Sequence, residues 1–263
     1  MKINWSSVKV QTLWKYEDLL GRLQASLAYS FVQEHYNHSM EEARSYAKRI
    51  RSGYLQDRGD KTAYVDAMVA NLEKLEVLRI ATYSDLVTQV ATQELCVSFL
   101  ERTDFGFDQL IQLLNYLFRW VLPFRTPVRE YLDMHGKEDA NHLAALKSQR
   151  LSSNLDLLEA GRTRAGRAHL AGTTGIPLAV VTALVHRTDI SRLAYVRGKT
   201  VLHLCAGGYD TLDKLAAADL AVMEAKMEAH YRTLGKSSVD FRSVIPLSWM
   251  IGGAKILPRV VES

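Results

Sequence analysis

Residues 189–218 read DISRLAYVRGKTVLHLCAGGYDTLDKLAAA, and this stretch decides the fold that the sequence predicts. A short helical segment leads into a tight turn around Tyr195, and a second helix follows it. The pair Gly207-Gly208 interrupts that second helix, and a third helix begins close to Thr211. The stretch therefore predicts three short helices in the order helix, tight turn, helix, glycine break, helix.

This order of elements is typical of a helix-hairpin-helix. Its turn places backbone N–H groups at the start of the second helix, where they and the helix dipole bind a phosphate without reading bases. Glycines are preferred in such a turn because the backbone takes unusual dihedral angles and approaches the phosphate closely. Here Tyr195, Val196 and Arg197 stand where a Gly–apolar–Gly turn is usual, so only the apolar anchor is kept. An unusual dihedral angle at Tyr195 or Arg197 would be strained.

The positive charge of the chain is concentrated in the same region. The whole chain has a formal net charge of +4, but residues 161–205 hold seven Arg or Lys against one acid, a local charge of +6. A confined basic patch attracts phosphate-rich polymers. The residues predicted to contact a nucleic-acid backbone are the basic side chains of this region and the first residues of the second helix: Arg162, Arg164, Arg167, Arg192, Arg197, Gly198, Lys199 and Thr200.

The rest of the chain also has helical patterns, so the predicted fold is all-α. All five prolines lie at or after Pro123 and ten of the fifteen glycines lie at or after Gly161, which predicts long helices before that point. Five are expected, at about 6–36, 39–53, 60–79, 82–101 and 104–122. The polar segment 133–154 is the predicted boundary, between a helical bundle at 1–150 and a helix-hairpin-helix domain of short helices at 151–263.

The C-terminal region resembles a known family. From about Leu157 onward the chain is similar to a bacterial family of domains of unknown function that contains a helix-hairpin-helix. The residues that carry the resemblance recur in the same order and spacing: Gly166-Arg167, Leu170-Ala171, Thr174-Gly175-Ile176, Asp189, Arg192-Leu193, residues 206–211, Lys214-Leu215-Ala216, Trp249, Ala254-Lys255 and Leu257-Pro258. The resemblance implies a helix-hairpin-helix fold but assigns no activity.

Other classes of site find little support in the residues. Gly198-Lys199-Thr200 ends like a phosphate-binding P-loop, but Leu193 stands at the position of the required glycine, and no strand precedes it. The histidines do not have metal-ligand spacing. We therefore predict no metal, no cofactor and no catalytic residue. The two cysteines, the lack of a signal peptide and the lack of a transmembrane segment predict a cytoplasmic protein.

Two functional hypotheses remain. The first is a non-enzymatic protein that binds the backbone of DNA or RNA without sequence specificity, while the N-terminal bundle self-associates or recruits a partner. The second is a protein–protein scaffold whose hairpin has lost phosphate binding, which the two missing glycines favour. An enzyme is the third possibility, because catalytic residues brought together by folding leave no mark in one sequence.

Overall fold

A computed structural model describes residues 3–54, 59–132, 137–235 and 246–263 of the chain. Within these ranges the regular elements are helices and the only β pairing is two isolated bridges, which confirms the predicted all-α fold. The chain divides into two compact units, Met1–Leu122 and Pro123–Ser263. In the parts of the chain that the structure describes, no helix is long and apolar enough to span a membrane.

The first unit is built from α-helices that bury one apolar stripe each. Leu20, Leu23 and Phe31, for example, are buried, whereas Leu13 is 70% exposed. The helices are α1 (Ser6–Thr12), α2 (Tyr16–Leu27), α3 (Ser30–His35), α4 (Met40–Tyr54), α5 (Gly59–Val77), α6 (Tyr83–Gln89), α7 (Gln93–Glu101) and α8 (Phe107–Tyr116), followed by a π-helical turn at Leu117–Val121.

Two of the long helices predicted for this unit are divided. The helix expected at 6–36 is three helices, because Leu13 takes a left-handed φ of 72° that ends α1, and an extended residue at Tyr29 separates α2 from α3. The helix expected at 82–101 is interrupted where Thr92 caps the start of α7. A side chain that accepts a hydrogen bond from a backbone N–H in the first turn of a helix favours the start of a helix at that residue. The apolar pattern has no gap at Thr92, so periodicity does not predict this break.

The second unit has shorter helices, and their order at 189–218 is the order that the sequence predicts. They are a 3-10 turn at Val128–Tyr131, α9 (Lys137–Ser148), α10 (Asn154–Gly161), α11 (Arg164–Thr174), α12 (Leu178–Ile190), α13 (Gly198–Ala206), α14 (Leu212–Ala216), α15 (Leu220–Thr233) and α16 (Leu247–Ile256). Side-chain caps start several of them: Ser153 with Asp156 forms a capping box for α10, and Thr163 and Thr211 cap α11 and α14.

The division between the units precedes the expected boundary at 150/151. Residues 123–132 pack with the helices after them because the side chain of Asn154, which is fully buried, joins three segments. Its Oδ1 accepts from the Thr126 N–H at 2.8 Å, and its Nδ2 donates to the Phe124 carbonyl at 2.9 Å and to Ser191 Oγ at 3.0 Å. These bonds tie the start of the unit to the first residue of α10 and to the end of α12.

Replacing Asn154 tests this junction. Asn154→Ala removes the acceptor of the buried Thr126 N–H and a donor to the Phe124 carbonyl, and we expect it to lower the free energy of unfolding by at least about 2 kcal/mol. Chemical denaturation followed by circular dichroism measures the loss. The matched change Asn141→Ala, at an exposed position of α9, should alter stability by less than about 0.5 kcal/mol. Equal effects of the two changes would contradict the role given to Asn154.

Candidate functional site

The candidate site is built on the corner between α12 and α13. Helix α12 ends at Ile190, residues 191–197 form the turn, and α13 begins at Gly198. The turn is closed by backbone hydrogen bonds, from Arg192 N to Asp189 O at 3.2 Å and from Val196 N to Leu193 O at 3.1 Å. Val196 is 2% exposed, so the apolar anchor predicted for the turn is buried. The element before Gly198 is a helix and a turn, which is not the strand of a P-loop.

Tyr195 has the unusual backbone that glycine would take in this turn. Its φ is 64°, in the left-handed region, where a residue other than glycine costs about 1–2 kcal/mol. Arg197 is extended, with φ −138° and ψ 174°, a conformation open to any residue. The turn therefore contains a residue in the left-handed conformation that is not a glycine. Of the two positions at which backbone strain is expected, Tyr195 is strained and Arg197 is not.

Gly198 has a packing reason to be glycine. A Cβ built on Gly198 would lie 2.3 Å from the carbonyl oxygen of Glu130 and 2.4 Å from its Cβ. The 3-10 turn at Val128–Tyr131 therefore lies against the first residue of α13, and only a residue without a side chain allows that approach. Arg187 strengthens the same junction, because its guanidinium donates to the Tyr131 carbonyl at 2.8 Å.

A substitution at Gly198 should separate packing from helix propensity. Gly198→Ala forces a Cβ against the Glu130 backbone, and we expect it to destabilise the protein by about 1–3 kcal/mol, measured by thermal or denaturant unfolding. Gly172→Ala is the matched control, because Gly172 lies within α11 and nothing stands within 4 Å of its added Cβ. That change should stabilise by up to about 1 kcal/mol. Stabilisation by both changes would overturn the contact with Glu130.

Two cations stand exposed on either side of Gly198. The Arg197 guanidinium lies 4.0 Å above the centroid of the Phe124 ring, and Lys199 is exposed in the first turn of α13. Thr200 is half-buried in the same turn. No side chain caps the start of α13. Its first N–H groups and the positive end of the helix dipole therefore lie beside two basic side chains, an arrangement that favours an anion.

Arg167 and Arg192 have a different role from the one predicted. The Arg192 side chain is fully buried, donates to Asp189 Oδ1 through Nε at 2.9 Å, and donates to the Pro258 carbonyl at 3.1 Å. Arg167 is 5% exposed and donates to the carbonyls of Gly161 and Arg162 at 3.3 Å and of Glu262 at 3.0 Å. Both guanidinium groups hold backbone carbonyls of the segment 258–263 or of α10, and neither faces solvent.

Arg162 and Arg164 are also engaged with the C-terminal segment. The Arg162 carbonyl accepts a hydrogen bond from the Glu262 N–H at 2.8 Å. Arg164 is exposed, but its N–H donates to the Glu262 carboxylate at 2.7 Å and its Nε donates to the Ser263 carbonyl. Of the eight predicted residues, Arg197, Gly198, Lys199 and Thr200 therefore meet at the start of α13, and the arginines of α10 to α12 lie around the segment 258–263.

The buried pair of Arg192 and Asp189 should be critical for stability. Arg192→Met leaves the carboxylate of Asp189 buried without its counter-ion, and we expect a loss of about 3–5 kcal/mol in the free energy of unfolding. The double change Arg192→Met with Asp189→Leu removes both charges and should recover most of that loss. Denaturant titrations of the wild type, both single variants and the double variant measure the coupling. Additive effects would show that the pair is not coupled.

A cleft opens beside this corner, within the same unit. Its volume is about 1100 Å³, and it lies between α12, α13 and α15. Small and apolar side chains line most of it, together with three histidines and the cations Arg187 and Lys199. The Nδ1 of His203 and the Nε2 of His230 are 3.0 Å apart, so one ring donates a hydrogen bond to the other across α13 and α15. Lys199 belongs both to the corner and to the cleft.

Burial sets the charge of the cleft. It lowers the pKa of His186 below its usual value, an effect that the nearby Asp189 partly opposes, so His186 is neutral at pH 7. Burial also raises the pKa of the Cys205 thiol, which disfavours the reactive thiolate. The acid of the cleft wall, Asp210, is paired with Lys214 Nζ at 2.7 Å. Arg187 and Lys199 are the arginine and the lysine of the lining.

Sequence reasoning found the corner and did not find the cleft. His203 and His230 are far apart in the chain and belong to different helices, so no local spacing joins them. Helix periodicity leaves His203 at the margin of an apolar face, which is also the position of many structural histidines. Among the described residues, no group of three or more His, Cys, Asp or Glu side chains is arranged to hold a metal ion.

The comparisons with known proteins agree with the resemblance found in the sequence. Residues 138–246 match the family described as "Domain of unknown function (DUF4332)". This region is therefore similar to a domain of unknown function, as the sequence predicts, while the helix-hairpin-helix stays a prediction. The match includes α10 to α15, and so both the corner and the cleft. A search of the curated proteins and a search of the solved structures found no match to the chain.

Proposed function

We propose that the unit Pro123–Ser263 binds the phosphate backbone of a nucleic acid, without sequence specificity, at the corner between α12 and α13. The observation that carries the proposal is the exposure of Arg197 and Lys199 on either side of Gly198, at a helix start that no side chain caps. Phosphate contacts of this kind position a protein on a nucleic acid but carry no sequence information. In this proposal the protein is not an enzyme.

The contacts of the corner determine how it would hold a phosphate. The Arg197 guanidinium lies over Phe124, which limits its motion and lowers the entropy lost on binding. Lys199 is a flexible point charge one residue further along. The left-handed Tyr195 orients the turn, but its side chain is 41% exposed and keeps a bulky ligand away from the backbone. The main attraction is therefore assigned to side-chain charge, assisted by the helix dipole.

The acidic neighbour of the corner opposes binding but does not cancel it. Glu130 is half-buried, and its backbone lies against Gly198. Glu130 contributes one negative charge beside Gly198, against the two charges of Arg197 and Lys199 and the positive end of α13, so the balance of charge favours an anion. A site with so few cations predicts weak binding that depends strongly on salt.

Salt dependence of binding tests the proposal. Fluorescence anisotropy with a labelled oligonucleotide should show binding at low salt that falls steeply between about 50 and 200 mM salt. Arg197→Gln and Lys199→Gln should each weaken binding to every sequence alike and reduce the slope of log K against log salt by about one. Lys147→Gln is the control, because Lys147 is an exposed cation of the same unit on α9.

Two results would contradict this function. The first is no binding of single or double strands at low salt by a folded protein. The second is binding that the two corner variants leave unchanged, or that Lys147→Gln reduces by the same amount.

A protein–protein scaffold is the second candidate, and two observations favour it. Arg167 and Arg192 are buried on backbone carbonyls, so part of the local positive charge is not available to a phosphate chain. Tyr195 also stands where a phosphate-binding turn has glycine. Absence of nucleic-acid binding, together with a protein partner that co-purifies at stoichiometric level, would support the scaffold. Self-association through the first unit stays a prediction of the sequence.

A further inference from the structure

We infer that the cleft between α12, α13 and α15 receives unpaired nucleobases, so that the nucleic acid bound at the corner is single-stranded. This inference rests on the proposed function, since the same strand would place its phosphate at Lys199 and its base in the cleft. Lys199 lines the cleft and also flanks Gly198 at the start of α13. Each nucleotide of a strand carries a charged phosphate and a flat aromatic base, so a single nucleotide could contact both the corner and the cleft.

The size of the cleft suits more than a single phosphate. Its volume of about 1100 Å³ lies slightly above the range of about 300–1,000 Å³ found for small-molecule sites. An inorganic phosphate would use only its rim, while one or more nucleobases would occupy its interior. The bases of a double helix are stacked and paired inside the duplex, so a base enters a cleft only from a single strand or after unpairing.

The lining of the cleft has the chemistry that a base requires. Ala179, Ala183 and Leu202 give an apolar surface on two walls. His203 and His230 add flat imidazole rings, and their mutual hydrogen bond and the contact of His203 with the Tyr231 ring, 5.0 Å between centroids, fix their orientation. Histidine is one of the side chains on which unstacked bases stack, and such stacking tolerates any sequence.

The charge of the cleft also suits a strand. Arg187 and Lys199 are the cations of the lining, and Arg187 is held by its bond to the Tyr131 carbonyl. Asp210, the acid of the lining, is neutralised by Lys214. Anionic phosphates on both sides of a bound base would therefore meet positive charge, and no unpaired carboxylate of the lining repels them.

The experiment compares three oligonucleotides of one length, which are a single strand, its duplex and an abasic single strand, and uses inorganic phosphate as the fourth probe. The wild type should bind the single strand about tenfold more tightly than the duplex or the abasic strand, which is the effect of at least one stacked base. Ala183→Trp fills the cleft from an exposed position of α12 and should reduce single-strand affinity to the duplex level, leaving duplex affinity unchanged. Ala168→Trp, at an exposed position of α11, is the matched control.

Each outcome decides between the two claims. Equal affinity for the single strand, the duplex and the abasic strand would overturn the cleft and leave phosphate binding at the corner intact. Single-strand affinity that Ala183→Trp leaves unchanged, with the variant folded by circular dichroism, would also overturn it. Absence of binding to all four probes at low salt would refute the proposed function itself, and with it this inference.

Discussion

The second unit depends on one buried amide. The side chain of Asn154 is fully buried and bonds to Thr126, Phe124 and Ser191. A buried amide that lacked these partners would lose its hydrogen bonds to water without replacing them, which would lower the stability of the folded state. The folded state is therefore favoured only when the three segments are held together around Asn154. Because Thr126 also bonds through its hydroxyl to Tyr131, the junction places the 3-10 turn at Val128–Tyr131. That turn lies against Gly198, where α13 and the proposed site begin.

The basic residues of this unit divide into two groups by their surroundings. A guanidinium has five N–H donors, so a buried arginine can satisfy several carbonyls at once. Arg167 and Arg192 do this for the segment 258–263, and Asp189 neutralises the second of them. Arg197 and Lys199 are exposed, and the guanidinium of Arg197 lies over the Phe124 ring. A local net charge therefore overestimates the charge that a ligand meets, because part of it serves the fold.

The corner and the cleft adjoin each other and share a residue. Lys199 belongs to both, and the helix that begins at the corner supplies Leu202 and His203 to the cleft. The left-handed Tyr195 keeps the turn that directs α13, although its strain would be relieved by glycine. The cleft next to this turn has both apolar and cationic side chains in its lining.

The sequence by itself determined the all-α fold and the order of helices at 189–218. These features follow from local rules of periodicity, capping and backbone restriction, which act over a few residues. The tertiary structure decided which arginines are buried, why position 198 needs glycine, and that His203 meets His230. Each of these depends on segments far apart in the chain, such as Glu130 against Gly198 and Pro258 against Arg192. Burial and hydrogen-bond partners are properties of packing, and no spacing within the sequence encodes them.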